Sequence, residues 1–290
     1  MKHIDSQHIV NRFSKENEFA VCVDAGEVIS VDTRDCFGNR ITGENQTLSA
    51  LPWESINPCT GPIMVKNAHV GDVLKIDIID IQIGPRGVVI KDRGDLERYG
   101  AIESEKSIIV DIEEGKDIVY RGRKYRSSPM IGVIGVLTDD SSLTTLPGIN
   151  GGNMDNTTII KGSSVFLPVI KEGAGVVVGD LHAAMGDGET TGCGVEVAGM
   201  VTLRFEIMHG SALPLPFVET KDKYITVASA ATLDLAVDMA AKNMRDYLLN
   251  CKHMESDEAW LLLTVSSNIK VCQIANKLKT ARCELNKKLI

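Results

Sequence analysis

Along most of residues 19–210, short runs of alternating apolar and polar positions are punctuated by glycine and proline. That is the pattern of strands with one face in a core. The clearest run places Val195, Val197, Val201, Leu203, Phe205 and Ile207 on one face and Glu196, Ala198, Met200, Thr202, Arg204 and Glu206 on the other, and it predicts one long strand. The segment from Val73 to Ile83 (VLKIDIIDIQI) also alternates, but its phase slips at Ile78-Ile79. One extra residue reverses which face points inward, so a β-bulge is expected there. Residues 107–120 read as a hairpin: SIIVDI, a turn at EEGK in which Gly115 is free to take positive φ, then DIVY. Further strands are predicted over 131–137, 165–169 and 175–179.

The period changes after Pro214 and Pro216. Leu233, Val237, Ala240, Ala241, Met244 and Leu248 recur at spacings of three and four, the stripe of an amphipathic helix. A second helix is predicted with Ser256 as N-cap and Asp257 and Glu258 in its first turn, running through Trp260 to Val265. No internal repeat or low-complexity tract is visible. The reading is a mainly β chain, α+β overall: a β body over 1–215 and a smaller α+β unit over 216–290.

Composition narrows the function classes. At 290 residues and 43% apolar the chain can bury a large core, and with aromatics at only 4% that core must be aliphatic. Thirty-one basic against 39 acidic residues give a net charge of -8, with no basic run. Phosphate neutralisation needs clustered Lys and Arg, so no nucleic-acid partner is expected. The N-terminal MKHIDSQHIV has no apolar core of signal-peptide length, and no stretch approaches the roughly 18 apolar residues of a membrane span. Seven cysteines without a CxxC pair suggest neither a disulfide framework nor a zinc ribbon. A reducing cytoplasm is the expected compartment.

Candidate chemistry concentrates in Gly179-Asp-Leu-His-Ala-Ala-Met-Gly-Asp-Gly-Glu-Thr-Thr-Gly-Cys-Gly-Val-Glu196. VVVGDLH reads as a strand end, which puts Asp180 and His182 two residues apart on one face, able to converge on one cation. Gly186, Gly188, Gly192 and Gly194 let the loop fold tightly and return Glu196 on the next strand. Carboxylate and imidazole donors suit zinc, manganese or a similar divalent ion. A hairpin whose acids simply face water is the alternative, with about equal weight from spacing alone. A phosphate cradle fits poorly, because GDGETTG misses GxGxxG spacing by one residue and its acids repel phosphate, and no EF-hand spacing exists. The second cluster, PGINGGNMDN over 147–156, reads as a loop whose backbone approaches something closely; Asp155 is its one anion, a candidate fourth ligand or anchor, or part of an ordinary Asx-rich turn. In Asn57-Pro-Cys-Thr-Gly-Pro62, Cys59 is a weak candidate nucleophile with no histidine near it in sequence. His69 and His253 stand alone.

GDLHAAMGDGETTGCGVE closely resembles the signature of the acetamidase/formamidase family. The resemblance extends through NPCTGPIMVKNAHVGDVLKIDI, PMIGVIGV, PGINGGNMDN and DLAVDMA…SDEAWLLLTVSSNIKVCQ in the family's order. It implies a jelly-roll-like β-sandwich with an α+β appendage. The activity implied is amidohydrolase cleavage of the C–N bond of short amides to carboxylate and amine or ammonia. It also implies a divalent metal, zinc before manganese or calcium, on Asp180 and His182 and, less directly, Asp155 and Glu196. Such an ion activates water and polarises the carbonyl. Glu189, on the glycine-flexed loop, is the expected proton shuttle, and the backbone N–H of Gly152 or Gly188 a candidate oxyanion donor. The tail after Cys283, and Asn268 where many relatives carry an acid, depart from the pattern. Neither GxSxG nor SxxK offers a serine mechanism. The alternatives are a lactamase-type paralogue acting on a cyclic amide and a non-catalytic jelly-roll binding protein, which the few aromatics make a poor sugar binder. A homodimer or larger homo-oligomer using the 216–290 unit is expected from the Ala-rich helix stripe and Trp260.

Overall fold

Residues 1–100 and 103–290 are described by a computed structural model of the chain. The body strands that position the site are β1 (Val28–Thr33), β2 (Cys59–Val65), β3 (Val73–Lys91), β4 (Lys106–Glu113), β5 (Asp117–Tyr120), β6 (Met130–Val136), β7 (Gly151–Asn153), β8 (Ser164–Pro168), β9 (Ala174–His182) and β10 (Glu196–Met208). The clearest alternating run is thus β10, flanked on its two edges by antiparallel β1 and β3. Val197, Val201, Leu203 and Phe205 are fully buried, whereas Arg204 and Glu206 face solvent.

The phase slip is a bulge. Opposite β10, Thr202 faces Asp80 and Leu203 faces Ile78, so Ile79 is the extra residue. It turns out to solvent at 38% exposure while Ile78 and Ile81 stay buried. A second irregularity in β3 lies between Ile83 and Gly87. Bulges add twist and bend, and here they let one large, mainly antiparallel sheet curl around its core. That core is aliphatic, with Phe205 the one aromatic among its fully buried members. The 107–120 hairpin forms as β4–β5, and Glu114 as well as Gly115 takes positive φ in the turn.

The C-terminal unit comprises β11 (Lys223–Ala230), α1 (Leu233–Asn250), α2 (Ser256–Ser266), β12 (Asn268–Gln273) and β13 (Lys279–Asn286). β13 lies between β11 and β12. The Thr232 side chain caps α1 by accepting from the Leu235 N–H. Ala236, Ala240, Met244, Tyr247 and Leu248 form its buried stripe, so Ala236 and Tyr247 join the face read from sequence. The second helix starts one residue away from the expected frame: Glu255 is the N-cap and Ser256 the first helical residue. No side chain caps that end, so nothing local pins the boundary that the Ser-Asp-Glu run suggests. The strand Phe217–Glu219 pairs with β8 on one side and β11 on the other, so the sheet continues across residue 216. Val73 and Phe166 of the body pack with Phe217, Tyr247 and Leu285 in a second core. Among the described residues, no helix is long and apolar enough to cross a membrane.

Candidate active site

β9 ends between β6 and β10. Its register pairs His182 with Met130 on one side and with Glu196 on the other. His182 and Glu196 are therefore cross-strand neighbours, close enough for their side chains to meet. Nε2 of His182 lies 3.3 Å from Glu196 Oε1, 3.5 Å from Asp180 Oδ1 and 3.9 Å from Asp155 Oδ1. Asp155, His182 and Glu189 each offer an atom within 4.8 Å of the others, and so do Cys36, Asp180 and Glu196. Asp155, Asp180, His182, Glu189 and Glu196, named from sequence, are thus brought together in one buried cluster.

The backbone there is held away from its relaxed states. Asn57, Asp155, Asp180 and Glu189 all have φ between 45° and 55°, the left-handed region. Each costs about 1–3 kcal/mol and persists only where the surroundings fix it, as at functional sites. Asp180 thus reaches His182 with a left-handed backbone and not by plain strand alternation. Two glycines make room. A Cβ on Gly132 would lie 2.6 Å from Asp180 Oδ2 and 2.7 Å from Asp155 Oδ1, and one on Gly194 would lie 2.5 Å from His182 Nδ1.

A ring of amides surrounds the acids. Asn57 Nδ2 donates to Asp180 Oδ2 at 3.0 Å and Asn276 Nδ2 to Asp155 Oδ2 at 3.1 Å. In the amide orientation that satisfies its neighbours, Asn153 donates to both aspartates at 3.0–3.1 Å. The Gly194 N–H donates to Glu196 Oε1 at 2.8 Å. Burial, and then the charge of Asp180, push Asp155 up to about 7. Glu196 is likewise pushed to about 7, by burial against the opposing pull of His182 and with the push of Asp180. Burial and Asp155 raise Glu189 well above the carboxylate range. Burial lowers His182, but Glu196 and Asp180 outweigh it and hold the imidazole well above its usual value.

Four buried carboxylates against one imidazole leave an uncompensated negative excess, which a buried site tolerates only with a cation or bound protons. Among the described residues, neither ring nitrogen of His182 has a hydrogen-bond partner, nor has Oε2 of Glu189 or Glu196. Orphaned imidazole nitrogens amid carboxylate oxygens are the donor set of a divalent metal, so the residues fit such an ion.

Three of the five clustered residues, Asp180, Glu189 and Glu196, line a cavity of about 70 Å3, with Asp155 and His182 behind its lining. Asn57, Asn153 and Asn276 add polar lining, and Phe37, Leu48, Trp53, Ile56 and Ile90 apolar lining. Gly152 does not line this cavity. It is paired with Ile134 and Pro147, and its α-carbon packs so closely that a Cβ would sit 2.4 Å from the Leu146 carbonyl. The Gly188 N–H is also engaged, donating to the Cys272 carbonyl. Cys59 is buried, and burial together with Asp180 keeps its thiol protonated well past the ordinary range. Sequence reasoning missed Cys36 and gave Asn57, Asn153 and Asn276 no role. Asn57 and Asn153 lie in motifs rich in turn residues, which mask a functional amide, and Asn276 carries no local signal.

Fold and site thus define a mainly β protein with a buried histidine–carboxylate cluster at the foot of a small cavity. Residues 1–137 and 134–274 match the Acetamidase/Formamidase family, and the chain belongs to that family. It is 39% identical to the acetamidase of Bacillus halodurans, with a TM-score of 0.94 over 98% of this chain and 97% of that one. With the acetamidase of Yersinia enterocolitica the identity is 26% and the TM-score 0.93, over 99% and 92% of the two chains. The formamidase of Methylophilus methylotrophus is 24% identical over 258 residues, 68% of this chain and 63% of that protein. The chain spans less than two thirds of the length of the curated relatives it matches.

Proposed function

We propose that this chain is an amidase-type hydrolase that cleaves the C–N bond of short, formamide- or acetamide-like amides to carboxylate and ammonia. The supporting observation is the negatively overcharged cluster of Asp155, Asp180, His182, Glu189 and Glu196 at the foot of a small cavity. Family membership supports the reaction class. Asp180 and His182, with Asp155 and Glu196, would hold a divalent cation, zinc in first place. Bound there, such an ion supplies Lewis acidity toward water and the amide carbonyl.

The chain's own residues do the rest. Glu189, raised by burial, accepts a proton from the attacking water and delivers it to the departing nitrogen. A carboxyl whose proton affinity is raised by burial holds a proton more firmly than an exposed one, which suits its delivery to the departing nitrogen. Asn57, Asn153 and Asn276 hold Asp155 and Asp180 in place, and the apolar wall limits water around the substrate. The exposed apolar face of α2, with Trp260, Leu261 and Val265 at 63–70% exposure, supports association into a homodimer, which light scattering at micromolar concentration tests.

The reading is tested by metal analysis together with ammonia release from formamide, acetamide and longer amides and, for a cyclic amide, appearance of the ring-opened amino acid. His182→Ala should lose bound metal and all turnover while keeping its circular-dichroism spectrum. Full metal occupancy in that variant would remove His182 from the ligand set, and a panel yielding neither ammonia nor ring-opened product would reject the hydrolase reading.

A further inference from the structure

Glu189 lies on a loop, yet its carboxylate is buried beside Asp155 and His182. What holds it comes from the far end of the sequence. Arg282, on β13, is 3% exposed and grips both oxygens of Asp187, Nη1 to Oδ1 and Nη2 to Oδ2, each at 2.9 Å. Its Nε donates to Glu284 Oε1 at 2.7 Å, and Lys223 holds the other Glu284 oxygen. Thr157 Oγ1 donates to Asp187 Oδ1 at 2.6 Å. The next residue, Gly188, is stitched to the end of β12: its N–H donates to the Cys272 carbonyl at 3.1 Å, and the Ile274 N–H donates to its carbonyl at 3.0 Å.

Residues 187 and 188 are therefore fixed by a bidentate ion pair and two backbone hydrogen bonds. Glu189 follows directly, in a left-handed conformation that aims it inward. The pairing is planar and two-pronged, so it sets orientation as well as distance, which a lysine cannot do. Arg282 touches none of the five clustered residues.

We infer that Arg282 is a positioning residue for catalysis: through Asp187 it fixes the loop that presents the Glu189 carboxylate, coupling the C-terminal unit to proton transfer. This rests on the shuttle role of Glu189 given above. Displacing a reacting group by about an ångström can cost on the order of a hundredfold. Arg282→Met should therefore lower kcat by about tenfold to a hundredfold with KM and metal content near wild type, and Arg282→Lys should recover part of the loss. Asp187→Asn, at a less buried position, should reproduce the kcat loss if Arg282→Met folds poorly. The deciding measurement is made in the Glu189→Gln background. There Arg282→Met should cost nothing further in kcat, because the group it positions is already gone.

An unchanged kcat in both Arg282→Met and Asp187→Asn overturns the inference while leaving Glu189 as shuttle. An undiminished additional loss in the Glu189→Gln background overturns it in favour of a purely structural role. If Glu189→Gln itself turns over at the wild-type rate, the shuttle reading falls first and the positioning role with it.

Discussion

His182 and Glu196 sit opposite each other on β9 and β10, inside the central ladder of the sheet, whereas Asp155 and Glu189 sit on loops fastened from outside it. The strand-borne pair needs only register: once β9 pairs with β6 and β10, its side chains have one place to go. The loop-borne pair needs partners drawn from distant chain. Asn276 holds Asp155, and Arg282, Cys272 and Ile274 hold residues 187 and 188. A rigid ladder suits donors that must keep fixed geometry about an ion. A clamped loop suits a carboxylate that must exchange protons with water and substrate. In the reading proposed above, the strand-borne pair would hold the ion, Asp155 would join it from its loop, and Glu189 alone would transfer protons.

The largest effect that would break this comparison is expected at Glu189. Glu189→Gln removes the transferable proton but keeps size and hydrogen bonding, so kcat should fall by roughly two to four orders of magnitude. Metal content and substrate affinity should stay. If metal affinity collapses in that variant, Glu189 belongs with the holding half and the contrast dissolves.

The strand half was readable in the sequence because strands advertise themselves by period. The β10 alternation, the slip at Ile79 and the VVVGDLH strand end all survive in the structure, since a buried face leaves no freedom in register. Asp180 and His182 were legible as members of one strand end for the same reason, although the left-handed backbone at Asp180, and not the strand period, brings their side chains together. What was not legible depends on contacts across more than a hundred positions: Asn57 on Asp180, and Asn276 on Asp155. Gly152 shows the limit from the other side. A glycine-rich loop predicts close backbone approach, and the approach is real, but to Leu146 and Pro147 and not to the cavity. Composition tells that a backbone must come close, and only the fold tells to what.

A second, smaller effect sharpens the electrostatic side of the comparison. Asp155 and Glu196 have folded-state values near 7, against 3.8 and 4.5 when unperturbed, and His182 is held above 6.5. The folded chain without metal then binds protons that the unfolded chain has released. Stability must fall as pH rises from about 4 to about 7, and the raised imidazole continues that fall above its ordinary value. Chelator-treated protein should therefore melt at a higher temperature at pH 5.5 than at pH 7.5. Zinc should reverse the order by favouring the deprotonated donors. A chelated protein that is more stable at pH 7.5 would mean that the cluster is not starved of positive charge.

The smallest effect separates clamping from mere stability in the C-terminal unit. Thr232 caps α1, whose buried stripe packs in the same core as Cys283 and Leu285 of β13, the strand that carries Arg282. Thr232→Ala removes one cap hydrogen bond and should cost about 1 kcal/mol, or a fall of about 1–2 °C in Tm for a chain of this size. Because the cap lies far from Asp187 in the bonding network, kcat should not change. The same loss of stability thus comes from the same unit without touching the loop. Equal Tm losses in Thr232→Ala and Arg282→Lys, with a kcat loss in Arg282→Lys alone, would assign the coupling to the ion pair and not to the firmness of the unit as a whole. A kcat loss in Thr232→Ala would instead mean that any softening of the C-terminal unit reaches the active site, and the loop would then be held by the packing of the whole unit.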